Sequence, residues 1–300
     1  MPLKQKRGLL IANARAGKQG AKNQLYSIIN GLAPEYTLTV HLTEAPGDAF
    51  VTAKQAEGYD AVFVSGGDGT VNGVASGLVE AGLSIPMGYF PSGTANDLAT
   101  TLGLSRKVEE TLKIIENGKP TPHDMGRLGD NYRFIYTASF GAFTEVSYKT
   151  PQSLKNSLGH LAYVIHGAGE LFRLKAERLS LKWDGGELSD TEVLFFAVMN
   201  THSMAGMVKI PAERTDLSDG LLEMLIVKKP ETKKEIRALL RDLLKNDIYD
   251  SRNENVIFTH VSEVQVHTEA PVAWTVDGEG TDEMTDVTIS VIPEGAKFIR

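Results

Sequence analysis

The segment Ser65-Gly66-Gly67-Asp68-Gly69-Thr70-Val71-Asn72 joins an apolar run to an amphipathic stretch and carries three glycines. Glycine lets a backbone turn tightly and approach a ligand with no Cβ in the way. A helix starting there offers unpaired N–H groups and a partial positive charge, a seat for phosphate. Asp68 would repel that phosphate unless a cation or a hydrogen-bond donor came between. The chemistry read from the residues is therefore Mg²⁺-assisted nucleotide binding. The bland alternative is a Gly-rich strand-to-helix turn with Asp68 as a cap. No Gly-Lys-Ser/Thr follows, so this is not a Walker A loop, and the spacing is not that of G-x-G-x-x-G.

Two further loops have the same setting. Phe90-Pro91-Ser92-Gly93-Thr94-Ala95-Asn96-Asp97 follows an apolar run and opens a helix, and Asn13-Ala14-Arg15-Ala16-Gly17-Lys18 follows the first apolar run. In a doubly wound sheet such loops line one crevice at the carboxyl ends of the strands. Thr94 would then donate to phosphate, with Asn96 and Asp97 near Asp68. Taken alone, Ser92, Thr94 and Asp97 are commoner as caps and turn formers, and the Asn13 loop as an ordinary strand-to-helix turn.

The elements that must hold these loops follow from periodicity. Residues 8–12, 36–42, 61–65 and 85–90 read as strands. Leu25, Ile28, Ile29 and Leu32 make a helical stripe between them, as do Val71, Val74, Ala75, Leu78 and Val79, and Val108, Leu112 and Ile115. Strands alternating with helices predict a mostly parallel, doubly covered sheet. After about Pro122 the pattern turns β-rich, in residues 132–140, 178–183, 193–200, 221–228, 255–259, 261–267 and 287–293. Asp184-Gly185-Gly186 marks a hairpin, and helices are expected near 154–174 and 232–246. This half reads as an antiparallel sheet or sandwich.

Composition narrows the function classes. The chain has 300 residues, 42% apolar and 23% charged, as a soluble globular protein of about two domains would. Its 31 Lys and Arg against 38 Asp and Glu give a net charge of −7, so the whole chain is not built for nucleic acid. With no cysteine there is no disulfide and no thiol chemistry, which suits the cytoplasm. No apolar run is long enough to span a bilayer, and none follows the start MPLKQKRGLL.

The GGDGT segment, the PSGTAND loop and Asn13 to Gly17 resemble the soluble bacterial diacylglycerol kinases and related lipid kinases. GGDGT alone is shared with NAD kinases and, less closely, phosphofructokinases. The likeness continues through Thr144-Glu145-Val146-Ser147-Tyr148, LKNSLGHLAY at 154–163, Ser203-Met204-Ala205-Gly206, Leu217-Ser218-Asp219-Gly220 and Val276-Asp277-Gly278-Glu279, and these motifs select lipid kinases. The resemblance implies an α/β fold: a phosphofructokinase-like nucleotide-binding domain over 1–124, then an antiparallel β-sandwich lipid-binding domain over 125–300. The last ten or so residues are expected to return to the first domain.

The resemblance also implies Mg²⁺-dependent transfer of the ATP γ-phosphoryl group to the hydroxyl of diacylglycerol, giving phosphatidic acid at a membrane surface. By resemblance, Asn13, Ala14, Arg15, Ala16, Gly17, Thr43, Gly66, Gly67, Asp68, Gly69, Thr70, Val71, Asn72 and Thr94 match ATP-contacting positions. Asp68, Asp97 and Asp124 match an acidic group around Mg²⁺ and its waters. Asp277 and Glu279 match the region of the catalytic base, with no choice made between them. Asp216, Asp219 and Leu221 match a structural Mg²⁺ site, although a turn is the commoner use of such residues. Ala14 stands where the family usually has Pro, and Gly73 where Glu commonly follows Asn72. The interdomain cleft is the expected meeting place of base and nucleotide. The implied protein is cytoplasmic and peripheral, with a homodimer left open.

Between Lys228 and Lys245, seven basic residues stand against three acidic ones, a local +4. Lys233, Arg237, Arg241 and Lys245 run beside an apolar stripe of Ile236, Leu239, Leu240, Leu243 and Leu244. One reading is a surface helix on the sandwich; the sharper one is a patch for anionic lipid. The 154–174 stretch, with Lys155, Arg173 and Lys175, is a second candidate. Other acceptors remain open: a sphingoid base, phosphatidylglycerol or a polyprenol. An NAD kinase should carry Asn-Glu in its first domain to bind ribose, whereas the one pair here is Asn253-Glu254.

Overall fold

The structure is a computed structural model and describes residues 5–13, 20–94, 96–141, 175–204, 208–210, 215–245 and 253–300. The helix expected near 154–174 lies outside them. The chain forms two units, Met1–Met125 with Pro293–Arg300, and Gly126–Ile292.

In the first unit β1 (Lys6–Ala12), β2 (Tyr36–Leu42), β3 (Ala61–Gly66) and β4 (Met87–Pro91) form a parallel sheet in the order β2-β1-β3-β4. Helices α1 (Gly20–Leu32), α2 (Asp48–Lys54), α3 (Asp68–Glu80), α4 (Asp97–Thr101) and α5 (Val108–Asn117) connect and cover it. Every residue of β3 is buried, as a strand covered on both faces must be. Leu10, Phe63 and Phe90 meet Ile28 and Leu32 of α1 and Val108 and Ile115 of α5 in one core. The sequence leaves α2 without a signal because its buried residues are two alanines, Ala49 and Ala53, too small for a visible apolar stripe. Gly77 of α3 lets α2 lie close, since a Cβ there would stand 2.4 Å from the Phe50 carbonyl oxygen.

The second unit is antiparallel. It is built from the end of β5 (Pro120–Leu128), β6 (Tyr132–Phe134), β7 (Thr137–Gly141), β8 (Glu177–Trp183), β9 (Gly186–Met199), β12 (Leu222–Lys228), β13 (Val256–Val261), β14 (Glu263–Val276) and the start of β15 (Glu279–Ile299), with β10 (Ser203–Met204) and β11 (Val208–Lys209) as a small pair. Strand β9 pairs with β7, β8 and β12, and β14 with β7, β8 and β15. Phe140, Phe196 and Trp274 meet edge to face and tilted in the main core. The intervening residues Phe195, Ala197 and Met199 face a second cluster containing Leu225, Val227 and Leu239. Residues 193–199 are therefore apolar without alternation because both faces of β9 are covered.

Helix α6 (Lys233–Lys245) contributes Leu239 to that second cluster and buries Ile236 as well. A reciprocal cap starts it. The Glu235 N–H donates to Thr232 Oγ1, the Thr232 hydroxyl donates to Glu235 Oε1, and Glu235 Oε2 accepts the Glu231 N–H at 2.8 Å. Those bonds hold the Glu235 carboxyl below its usual range, the Glu231 N–H most of all.

Candidate nucleotide and phosphoryl-transfer site

The order β2-β1-β3-β4 reverses direction between β1 and β3, the place where open α/β sheets bind ligands beyond the strand ends. Asn13 leaves β1 there. Its N–H donates to the Ser65 carbonyl at 2.8 Å and its side-chain amide to Thr70 Oγ1 at 3.4 Å. The Thr43 N–H donates to the Ala12 carbonyl at 3.0 Å, tying the end of β2 to the same edge. Ala14, Arg15, Ala16 and Gly17 lie outside the described residues. Val71 is fully buried, so only its backbone can serve a ligand. Asn72 accepts the Ser76 hydroxyl at 2.8 Å and supports the first turns of α3.

Close contacts explain three glycines of the β3–α3 and β4–α4 loops. A Cβ on Gly93 would lie 2.5 Å from Gly67 Cα, and one on Gly66 would strike the Thr70 side chain at 2.6 Å. The Ser92 N–H donates to the Gly66 carbonyl at 2.8 Å. Asn96, with φ of 56°, locks the second loop by bonding both the N–H and the carbonyl of Gly93. The Tyr89 hydroxyl reaches Gly66 O and Asn96 Oδ1 at 3.4 Å each, and burial raises its pKa far above normal. Thr94 is exposed and its carbonyl accepts from Arg106 Nη2 at 2.9 Å.

Asp68 does act as a cap, but of a helix from the other loop. Its Oδ2 accepts the Asp97 N–H at 3.2 Å and its carboxyl also faces the N–H groups of Leu98 and Asn96, while its own helix α3 has no side-chain cap. Its Oδ1 is buried with no hydrogen-bond partner among the described residues, as is the Ser92 hydroxyl. Burial raises the Asp68 carboxyl above its ordinary range. Burial raises Asp97 too, with the nearby Asp68 charge adding to the effect. Two desolvated, mutually repelling carboxylates and an unmatched oxygen form a donor set that a hard cation with oxygen ligands would satisfy.

Asp124, grouped with these by resemblance, also holds the returning end of the chain. It is fully buried and its Oδ1 accepts the Glu294 N–H at 2.7 Å, at a residue with φ of 48°. Asp216 and Asp219 each spend an oxygen on closing a local turn. Asp216 Oδ1 accepts the N–H and hydroxyl of Ser218 at 3.1 Å, and Asp219 Oδ1 accepts the Leu221 N–H at 2.9 Å. Both aspartates are exposed. Among the described residues no three His, Asp or Glu side chains gather as metal ligands.

The Asp277-Gly278-Glu279 turn divides into two tasks. Asp277 is only 4% exposed, and its carboxylate accepts the N–H groups of Ile135, Tyr136 and Thr137 at 2.8, 3.0 and 2.9 Å. Both oxygens are thus engaged by backbone donors, which leaves Glu279 the more open of the two carboxylates matched to the base. Glu279 is exposed and enters no ion pair or side-chain hydrogen bond among the described residues. Sequence reasoning passed over Tyr89 and Arg106, and gave Ser92 only a turn-forming part. No motif spacing marks the first two, and their place at the loops comes from strand β4 and the start of α5.

An α/β unit with paired glycine loops at its switch point, in one chain with an antiparallel β unit, defines a class of nucleotide-dependent kinases. Residues 7–128 match the diacylglycerol kinase catalytic domain, and residues 138–300 match the YegS C-terminal NAD kinase beta sandwich-like domain. A diacylglycerol kinase of Bacillus subtilis (strain 168) is 33% identical over 280 residues, covering 91% of this chain and 90% of that protein. One of Staphylococcus aureus (strain bovine RF122 / ET3-1) is 36% identical, covering 75% and 71%. Among solved structures, a diacylglycerol kinase of Bacillus anthracis superposes with a TM-score of 0.75 at 21% identity, covering 99% of this chain and 97% of that one. An NAD kinase of Archaeoglobus fulgidus in complex with ATP gives 0.55 at 14%, covering 98% and 93%. Those two likenesses speak for the fold. The chain belongs to the diacylglycerol kinase family and is an ATP-dependent lipid kinase, with the expected pairing of a nucleotide-binding α/β part and a β-sandwich part.

Proposed function

We propose that this chain transfers the γ-phosphoryl group of Mg-ATP to the hydroxyl of a diacylglycerol held at a membrane surface, giving phosphatidic acid. The observation that carries the reading is Asp68, whose Oδ1 is buried and unmatched among the described residues, beside Asp97 and the glycine loops. The names of the relatives point to the acceptor. Asp68 and Asp97 would hold Mg²⁺, which when bound supplies charge neutralisation on the phosphates. The glycine loops bring backbone N–H groups to the triphosphate, and Asn13 and Thr70 fix the edge of its seat. Glu279 accepts the proton of the lipid hydroxyl as the new P–O bond forms and ADP leaves. Contact with the membrane falls to the exposed basic face of α6, where Lys233, Lys234 and Arg237 enter no ion pair among the described residues.

The test is incubation with γ-labelled Mg-ATP and separate mixed micelles of diacylglycerol, sphingosine, phosphatidylglycerol and undecaprenol, with NAD as a soluble control. Label in phosphatidic acid, at a rate at least roughly tenfold above every other acceptor, is the expected result. Label on another lipid moves the acceptor assignment to that lipid. Label on NAD alone overturns it.

A further inference from the structure

Pairing of Val276 with Glu279 leaves Asp277 and Gly278 as the two loop residues of the β14–β15 hairpin. Their φ angles, 46° and 85°, suit the mirror-image turn that matches strand twist, and Asp-Gly is a favoured sequence for it. A hairpin aspartate ordinarily faces water, but this side chain turns inward to three consecutive N–H groups about 140 residues earlier in the chain. Its own N–H also donates to the Thr137 carbonyl at 2.9 Å. Those donors sit at the bend where β6 gives way to β7.

We propose that Asp277 is a positioning residue: it clamps the hairpin tip to residues 135–137 and so fixes the direction in which Glu279 leaves the turn. The proposal rests on the reading of Glu279 as proton acceptor. Strand pairing alone would hold the tip loosely. The β14–β15 register shifts between Ala273 and Thr275, immediately before the turn, and β14 meets β7 at only Thr275 and Val276. The clamp adds three bonds to a charged acceptor beyond that last pair, and such bonds are stronger than neutral ones. It also needs a carboxylate rather than any turn former. Asparagine suits the same turn, but its NH₂ would face backbone donors with a donor.

Asp277→Asn therefore keeps the turn preference and breaks the clamp on one side: an amide oxygen can still accept from Tyr136 and Thr137, but the NH₂ in place of Oδ2 cannot accept from Ile135, and the charge is lost. Steady-state turnover of diacylglycerol is measured for the whole chain, for D277N, for E279Q and for the double variant. D277N should lower kcat by roughly 10- to 100-fold, with the KM for ATP within about twofold of normal. In the E279Q background the same change should cost less than about twofold, because the residue it positions is gone. A D277N enzyme with near-normal kcat overturns the proposal, and so does a loss that multiplies that of E279Q. If E279Q itself keeps near-normal turnover, the proton-acceptor reading fails and the positioning role with it; a loss in E279Q alone removes only the clamp. Should D277N fail to fold, Gly278→Ala strains the same turn while leaving the clamp atoms in place. It must show a smaller loss that likewise vanishes in E279Q, and equal losses in both backgrounds overturn the proposal.

Discussion

At the scale of single residues, Asp68 and Asp97 set function against stability. Burial raises both carboxyls, and for Asp97 the charge of Asp68 adds to it. A carboxyl with a folded value above its unfolded one binds protons more tightly in the fold. Its contribution favours folding at low pH and is lost as pH rises through the folded value. In metal-free protein the Asp97 charge thus weakens the fold at neutral pH, and Asp97→Asn should strengthen it. Scanning calorimetry without divalent ions should show a higher Tm for the variant than for its parent at pH 7–8. That gain should shrink as the pH falls through the folded value and vanish only well below 3.8, the ordinary value, where both states are protonated. Turnover in the same variant should fall by on the order of 10²-fold, the usual scale for one electrostatic stabiliser. A variant less stable than its parent at neutral pH would show that Asp97 is held by bonds rather than strained by charge.

At the scale of elements, the proposed nucleotide seat depends on two strand-to-helix loops touching through glycine. Gly93→Ala would put a Cβ 2.5 Å from Gly67 Cα and 2.8 Å from Asn96 Oδ1, and neither neighbour can yield without opening a loop. Calorimetric titration should show ATP affinity reduced at least roughly tenfold, whereas unchanged affinity would mean that the loops bind independently. The glycine spacing and the strand before each loop were legible from local pattern, so β1 to β4, α1, α3 and α5 could be read directly. Long-range partners could not. Residues 132–140 read as one strand because they are largely apolar, yet the chain bends at Ile135 and Tyr136, where the Asp277 carboxylate takes their N–H groups. The bond from the Glu294 N–H to Asp124 was hidden for the same reason, since the two residues lie 170 positions apart. Spacing along the sequence reports what a loop can do. It does not report which distant backbone has already claimed a side chain.

At the scale of the whole molecule, charge must be reconciled with the proposed lipid surface. A net charge of −7 spread evenly would keep the protein off an anionic bilayer. The residues from Lys228 to Lys245 oppose it with a net +4, and α6 separates its two faces cleanly. Ile236 and Leu239 are buried in the second unit, leaving Lys233, Lys234, Arg237 and Arg241 exposed. Ile236 and Leu239 are therefore spent on packing, and the exposed basic residues of α6 attract a membrane through charge. Electrostatic attachment of this kind is screened over a Debye length of roughly 10 Å at 0.1 M salt. Sedimentation with phosphatidylserine-rich vesicles should accordingly weaken steeply with added salt, and vesicles of phosphatidylcholine alone should bind little. Replacing Lys233, Lys234, Arg237 and Arg241 by alanine should reduce binding to the anionic vesicles at least roughly tenfold. Turnover of a water-dispersed, short-chain diacylglycerol should stay near normal in that variant, since none of the four residues belongs to the phosphate loops or to the Glu279 turn. Undiminished sedimentation would place membrane contact on another surface of the protein.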